Sequence, residues 1–135
     1  MFFENILIYF KKNATYCIFY LYLCGMFERK IIAYKSYYRD FMATLTDGVK
    51  KKIHYGLDLL ASQERVNKKF VEHVREGVYE LKAEYEGNIY RVFFVFDGGK
   101  IVVLFNGFPK KTQKTPESEI SKAITLKNEY YASKK

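Results

Sequence analysis

The amino-acid sequence predicts an α+β fold in which a small antiparallel sheet is packed with an N-terminal helical hairpin and a C-terminal helix. Three observations carry this expectation. Apolar residues recur at helical spacing from Tyr38 to Ala61; the period drops to two from Tyr79, with short Gly-rich loops at Glu86-Gly87-Asn88 and Asp97-Gly98-Gly99; and Thr115-Pro116 opens a last stretch of helical spacing. The chain of 135 residues suffices for one core, and eight Gly and two Pro in a sequence that is 49% apolar exclude a disordered or low-complexity protein.

Residues 30–35 read as a short first strand, with Ile31, Ile32 and Tyr34 supplying β-branched and aromatic character. Ser36 stands as the N-cap of a short helix whose face is Tyr38, Phe41, Met42 and Leu45, and Thr46-Asp47-Gly48 interrupts it. Val49, Ile53, Leu57, Leu60 and Ala61 repeat the stripe in a second helix, with Lys50, Lys51 and Lys52 outside it, which completes the hairpin. Val66, Phe70, Val71 and Val74 predict one more short helical piece. From Tyr79 the chain alternates, with Tyr79, Leu81, Ala83 and Tyr85 on one face and Glu80, Lys82, Glu84 and Glu86 on the other, a strand with one wet face. The runs 89–96 and 100–108 follow across short loops as an antiparallel meander, with Phe93, Phe94, Phe96, Phe105 and Phe108 at core positions. Thr115 and Pro116 serve as N-cap and first residue of the last helix, Glu117 and Glu119 suit its dipole, and Ile120, Ala123, Ile124 and Tyr131 form its core face. The predicted order is β, α, α, β, β, β, α.

Residues 1–25 differ from the rest: eight of them are Phe or Tyr, and residues 14–27 carry no charge. That run is shorter than the roughly 20 residues that span a bilayer. Three readings fit: a leader, against which stand the large Tyr22 and Leu23 where a cleavage site needs small residues; an upstream start codon, with Met26 the working start of a domain over 26–135; or an additional packed helix. Only Glu4, Lys11 and Lys12 are charged in this segment, so the basic surplus belongs to residues 26–135, for which no membrane partner is expected.

That surplus is 23 Lys and Arg against 15 Asp and Glu, a net charge of +8, which directs attention to nucleic acid first and an acidic protein second. The two cysteines, Cys17 and Cys24, have no His neighbours at zinc spacing, so a structural zinc site is not expected. His54 and His73 raise a two-histidine nuclease, but no carboxylate or glycine motif marks a site around either. Lys82 projects from the wet face of its strand, Arg91 is the one charge in the run 89–96, and residues 106–115 carry Lys110, Lys111 and Lys114 with no acid. Each has a structural reading beside the functional one. Lys82 is also a solvated residue between Glu80 and Glu84, Arg91 an ion-pair partner for either glutamate, and the basic run a soluble loop. The same loop stands before a helix N-terminus, where backbone N–H groups and hydroxyls favour phosphate.

Tyr79-Glu80-Leu81-Lys82, Tyr90-Arg91-Val92-Phe93-Phe94, the run 101–108 and above all Lys110-Lys111-Thr112-Gln113-Lys114-Thr115-Pro116 resemble the phage-derived, HigB-like branch of the RelE/ParE toxin superfamily over residues 29–131. The resemblance implies a RelE-like fold and a cytoplasmic type II toxin: a ribosome-dependent endoribonuclease that cuts mRNA without a metal or other cofactor. It further implies neutralisation by a cognate helix-turn-helix, HigA-like antitoxin. By position, Lys82, Arg91 and Lys111 correspond to the family's catalytic basic residues, and Lys110, Lys114 and Thr112 to RNA-binding ones. The implied chemistry is in-line attack of a ribose 2′-hydroxyl on the adjacent phosphate, with Arg91 and Lys111 stabilising the added charge and Lys82 as base or phosphate clamp. RelE places a tyrosine near the end of the chain and close relatives a histidine; the KKTQKTP string has neither, Tyr130 and Tyr131 lie roughly four turns along the last helix, and Glu80 is an alternative proton acceptor. A ParE-like protein that binds gyrase, and a toxin that binds without turnover, are the two other expectations.

Overall fold

A sheet that is apolar on both faces must be covered on both, and that requirement organises this chain. In a computed structural model, which describes residues 27–111 and 114–134, the elements are β1 (Lys30–Ala33), α1 (Tyr37–Ala43), α2 (Asp47–Ser62), β2 (Val71–Arg75), β3 (Val78–Tyr85), β4 (Asn88–Asp97), β5 (Ile101–Lys110) and α3 (Glu117–Ser133). The expectations for residues 1–25 and for Thr112 lie outside the described residues.

The sheet runs β1-β5-β4-β3-β2. On one face α1 and α2 bury Phe41, Met42, Ile53, Leu57 and Leu60 against Leu81, Val92, Phe94 and Leu104; on the other, Ala123 and Leu126 of α3 close over Val78, Phe93, Val103, Phe105 and Phe108. The α+β class, the N-terminal helical hairpin and the C-terminal helix agree with expectation, and the arrangement is consistent with a RelE-like fold. Gly107 allows a close approach, because a Cβ there would clash with the Phe41 ring, as one at Gly48 would with Tyr85.

Four expectations change. The sheet is mixed, since β1 pairs in parallel with β5, Ile31 facing one core and Ile32 the other. Val71 and Val74 belong to β2 and not to a helix. The cause is the turn that follows: Glu76 and Gly77 both take positive φ, 52° and 80°, the geometry of a two-residue hairpin loop whose twist matches flanking strands. Val71 packs into one core and Val74 into the other, so apolar residues on both faces of this strand imitate helical spacing, and a bulge between His73 and Arg75 ends the regular pairing. Third, Tyr131 is 37% exposed, while Tyr130, seven residues after Ala123, keeps to the buried stripe. The helix starts at Glu117, with Pro116 at the N-cap in place of Thr115.

Arg29 stitches the layers together. It is buried, and its guanidinium donates to the carbonyl oxygens of Gly99, Leu60, Gln63 and Glu64 at 3.0, 2.9, 2.7 and 2.7 Å, so it caps the C-terminal end of α2, where a cation also suits the helix dipole. Burial lowers its pKa, partly offset by Glu64.

Candidate functional site

Cross-strand register decides which polar side chains meet. Lys82 lies opposite Arg91 and Arg91 opposite Phe108, while Ile89 lies opposite Lys110. Directly opposed residues share a face, so Lys82, Arg91 and Lys110 stand on the α3 side of the sheet, beyond the apolar patch that α3 covers. Glu80, two residues before Lys82, shares that face, and β2 adds Glu72 opposite Glu80. The result is a cluster of three cations and two carboxylates at the end of the sheet where β5 finishes.

Its charges are not equivalent. Arg91 and Glu80 are both buried and ion-paired, Nη1 donating to Oε1, with Glu80 Oε2 and Arg91 Nε left unpartnered. The wet face expected of β3 is therefore dry at Glu80, which lies opposite the buried Phe93 and two residues from the buried Val78 of the α3 core. Burial pushes the Glu80 carboxyl above the ordinary range, and the attraction of Arg91 and then Lys82 offsets this only in part. Lys82 donates from Nζ to Glu72 at 2.7 Å, which holds the Glu72 carboxyl below its ordinary range. Lys110 has no carboxylate within ion-pairing distance among the described residues. Partial burial, then the repulsion of Arg91, lowers its pKa; Glu80 opposes the shift and Lys82 adds to it.

Lys111 is exposed one residue past β5. Lys114 is exposed just ahead of α3, where it supplements Arg75 in holding the Glu117 carboxyl below its ordinary range. Arg75 reaches Glu117 at 2.5 Å and so ties β2 to the start of α3. A second buried polar group lies under the same helix: Asn106, at a bulge of β5 against β4, donates from Nδ2 to Glu119 Oε2 at 2.8 Å, and its Oδ1 is unpartnered.

Other candidates stay apart. Tyr130 donates its hydroxyl to Asp97 Oδ2 at 2.7 Å, and burial together with that bond pushes its pKa up to about 12. Asp97 is six residues along β4 from Arg91, about 20 Å of extended chain, so Tyr130 does not join the basic cluster. His54 is exposed on α2 and His73 on β2, where it accepts the Gly77 N–H at 3.4 Å; no hydrogen bond joins them among the described residues. Glu72 was not among the expected site residues, because its strand reads as helix; the Glu76-Gly77 pair was the signal that would have found it.

Chemically, the cluster presents Lys82 and Lys110 beside a buried Arg91, an arrangement suited to holding a phosphate and to moving a proton at a lysine of lowered pKa, while Lys111 is exposed next to Lys110 in the chain. Among the described residues no three His, Cys, Asp or Glu side chains gather as a metal site, and no helix is long and apolar enough to cross a membrane. The family model described as phage derived protein Gp49-like (DUF891) matches residues 40–128, from within α1 to within α3. A search of curated proteins finds no match. A match over that length, on a chain with this sheet, settles the kinship: the chain belongs to the Gp49-like family of phage-derived proteins, a family associated with RelE-type toxins.

Proposed function

We propose that the chain is the toxin of a type II toxin–antitoxin pair, a cytoplasmic endoribonuclease that cleaves mRNA on the ribosome and is neutralised by a helix-turn-helix, HigA-like antitoxin. The observation that carries this reading is the meeting of Lys82, Arg91 and Lys110 on one face of the sheet, beside Lys111, in a Gp49-like chain.

In the proposed reaction a ribose 2′-oxygen attacks the adjacent phosphorus and loses its proton to a base. The bond to the 5′-oxygen breaks, that oxygen takes up a proton, and a 2′,3′-cyclic phosphate remains. Lys110 fits the base, since burial and Arg91 raise its neutral fraction. Lys111 and Lys82 clamp the phosphate, Lys82 by exchanging Glu72 for a phosphate oxygen. Arg91 works from beneath: its charge, held by Glu80, stabilises the pentavalent phosphate and tunes Lys110. Lys114 and Thr112 contact the RNA backbone next to the scissile position.

The test is to add the full chain to a translating extract and map new 5′ ends on a reporter message, with Lys110→Ala and Lys111→Ala for comparison. The expected result is codon-spaced breaks with the unmodified protein and a loss of roughly 100-fold or more in rate for Lys110→Ala. An intact message under continuing translation overturns the nuclease reading and directs attention to a protein target such as gyrase.

A further inference from the structure

Lys82 borders a second feature that the cluster does not use. Its backbone N–H donates to the carbonyl of Phe70 at 2.7 Å, and past that point β3 has no neighbouring strand on its β2 flank. A groove of about 590 Å³ opens there, a size typical of sites that hold a small ligand. Its walls include Lys52 and Tyr55 of α2, Lys69 and Phe70 of the segment before β2, and Lys82 and Tyr85 of β3.

Tyr55 is unusual among the large apolar side chains. It is 55% exposed, yet held in place: Phe70 meets it at 5.8 Å between ring centroids with the planes 65° apart. On α2, Tyr55 and Lys52 stand beside the buried stripe Val49, Ile53, Gly56 and Leu60, so the helix packs on one flank and presents the ring and the ammonium on the next. Lys69 reaches over the Phe70 ring at 5.8 Å, and Lys51 borders the adjoining hollow between Gly48 and Tyr85. Glu84 and Glu86 line the hairpin end of the groove. The groove is thus polarised, with cations and an open ring on the α2 side and at Lys82, and acid at the far end. A single strand of nucleic acid has the matching halves, a polyanionic backbone and flat bases. An acidic peptide would satisfy the lysines but leave the ring unused.

We infer that this groove seats the single-stranded RNA flanking the cleaved phosphate, one base stacking on Tyr55 while Lys52 and Lys69 hold the backbone, and that the strand passes over the free edge of β3 at Lys82 from the α2 side of the sheet to the cluster on the α3 side. The inference rests on the nucleic-acid reading proposed above and adds the residues that select the strand.

The experiment measures anisotropy of a fluorescent single-stranded oligonucleotide with 2′-O-methyl riboses, which cannot undergo 2′-hydroxyl attack, titrated with the full chain and its variants at several salt concentrations. Tyr55→Ala, at an exposed position, should fold normally and weaken binding by roughly 5- to 150-fold, the effect of losing one base stack. Tyr55→Phe should bind as the unmodified protein does. Lys52→Gln with Lys69→Gln should flatten the salt dependence by an amount equal to about two phosphate contacts. Unchanged affinity for Tyr55→Ala, or an unmodified chain that does not bind the probe, overturns the inference. So does a Tyr55→Ala variant that loses its antitoxin but keeps the oligonucleotide. Tyr55-dependent binding without cleavage in the extract keeps the groove and removes the nuclease, whereas cleavage with Tyr55-independent binding does the reverse.

Discussion

Removing Arg91 should destabilise the fold before it reports on catalysis. Arg91 and Glu80 are ion-paired within the sheet, towards the end where β5 finishes, with side chains 8% and 7% exposed, and Glu80 Oε2 has no partner. Arg91→Met leaves a buried carboxylate uncompensated, which costs about 3–5 kcal/mol. A domain of this size is stable by only about 5–15 kcal/mol, and with a urea slope of about 2 kcal/mol per molar the unfolding midpoint should fall by about 2 M. The loss should depend on pH. Burial already raises the folded pKa of Glu80 above its unfolded value, so its favourable contribution is complete below the unfolded pKa and disappears as pH rises through the folded one. Without Arg91 the folded value rises further, and the deficit of the variant grows from pH 5 to pH 8. Glu80→Leu combined with Arg91→Met removes both charges and should recover most of the stability. Urea unfolding followed by circular dichroism, at both pH values and across all variants, tests this. A cost below about 1 kcal/mol that is equal at both pH values would refute the argument, because Glu80 would then be neutral in the folded protein and the pair not ionic.

Three further outcomes follow from the same geometry. Cleavage by the unmodified protein should accelerate with rising pH as Lys110, held below the ordinary lysine pKa, loses its proton, and Lys110→Arg, which stays charged, should lose that limb of the rate profile while remaining folded. Arg29→Ala strands the carbonyls of Leu60, Gln63, Glu64 and Gly99, and should cost about 2–4 kcal/mol and lower Tm by about 10 °C in a thermal melt. Gly107→Ala drives a methyl group into the Phe41 ring and should cost about 1–3 kcal/mol in the same melt; Phe41→Leu in the Gly107→Ala background should return part of it.

Much of the molecule was legible from local pattern alone. Hydrophobic spacing is a property of neighbours along the chain, so α1, α2 and α3, the strands β3 to β5 and many of the apolar core residues could be read before any contact was known, though the expected core face of α3 omits Leu126 and includes the exposed Tyr131. The bringing together of Lys82, Arg91 and Lys110 was partly legible too: once three strands are joined by short loops, register and alternation follow. Long-range pairing settled the remainder. Val71 and Val74 pack on opposite faces of β2, which masks its period, so the strand, and with it Glu72 as the partner of Lys82, emerges only when β2 lies along β3. The choice of Glu80 for Arg91 was open in the sequence, because either neighbouring glutamate was chemically adequate and burial alone distinguishes them. Lys110 differs from Lys111 through a half-buried position above Arg91, a matter of solvation and distance that no residue spacing encodes. The groove beside Tyr55 likewise exists only where α2, the turn before β2 and the unpaired end of β3 meet, successive segments that come together only when the β2–β3 hairpin packs beside α2.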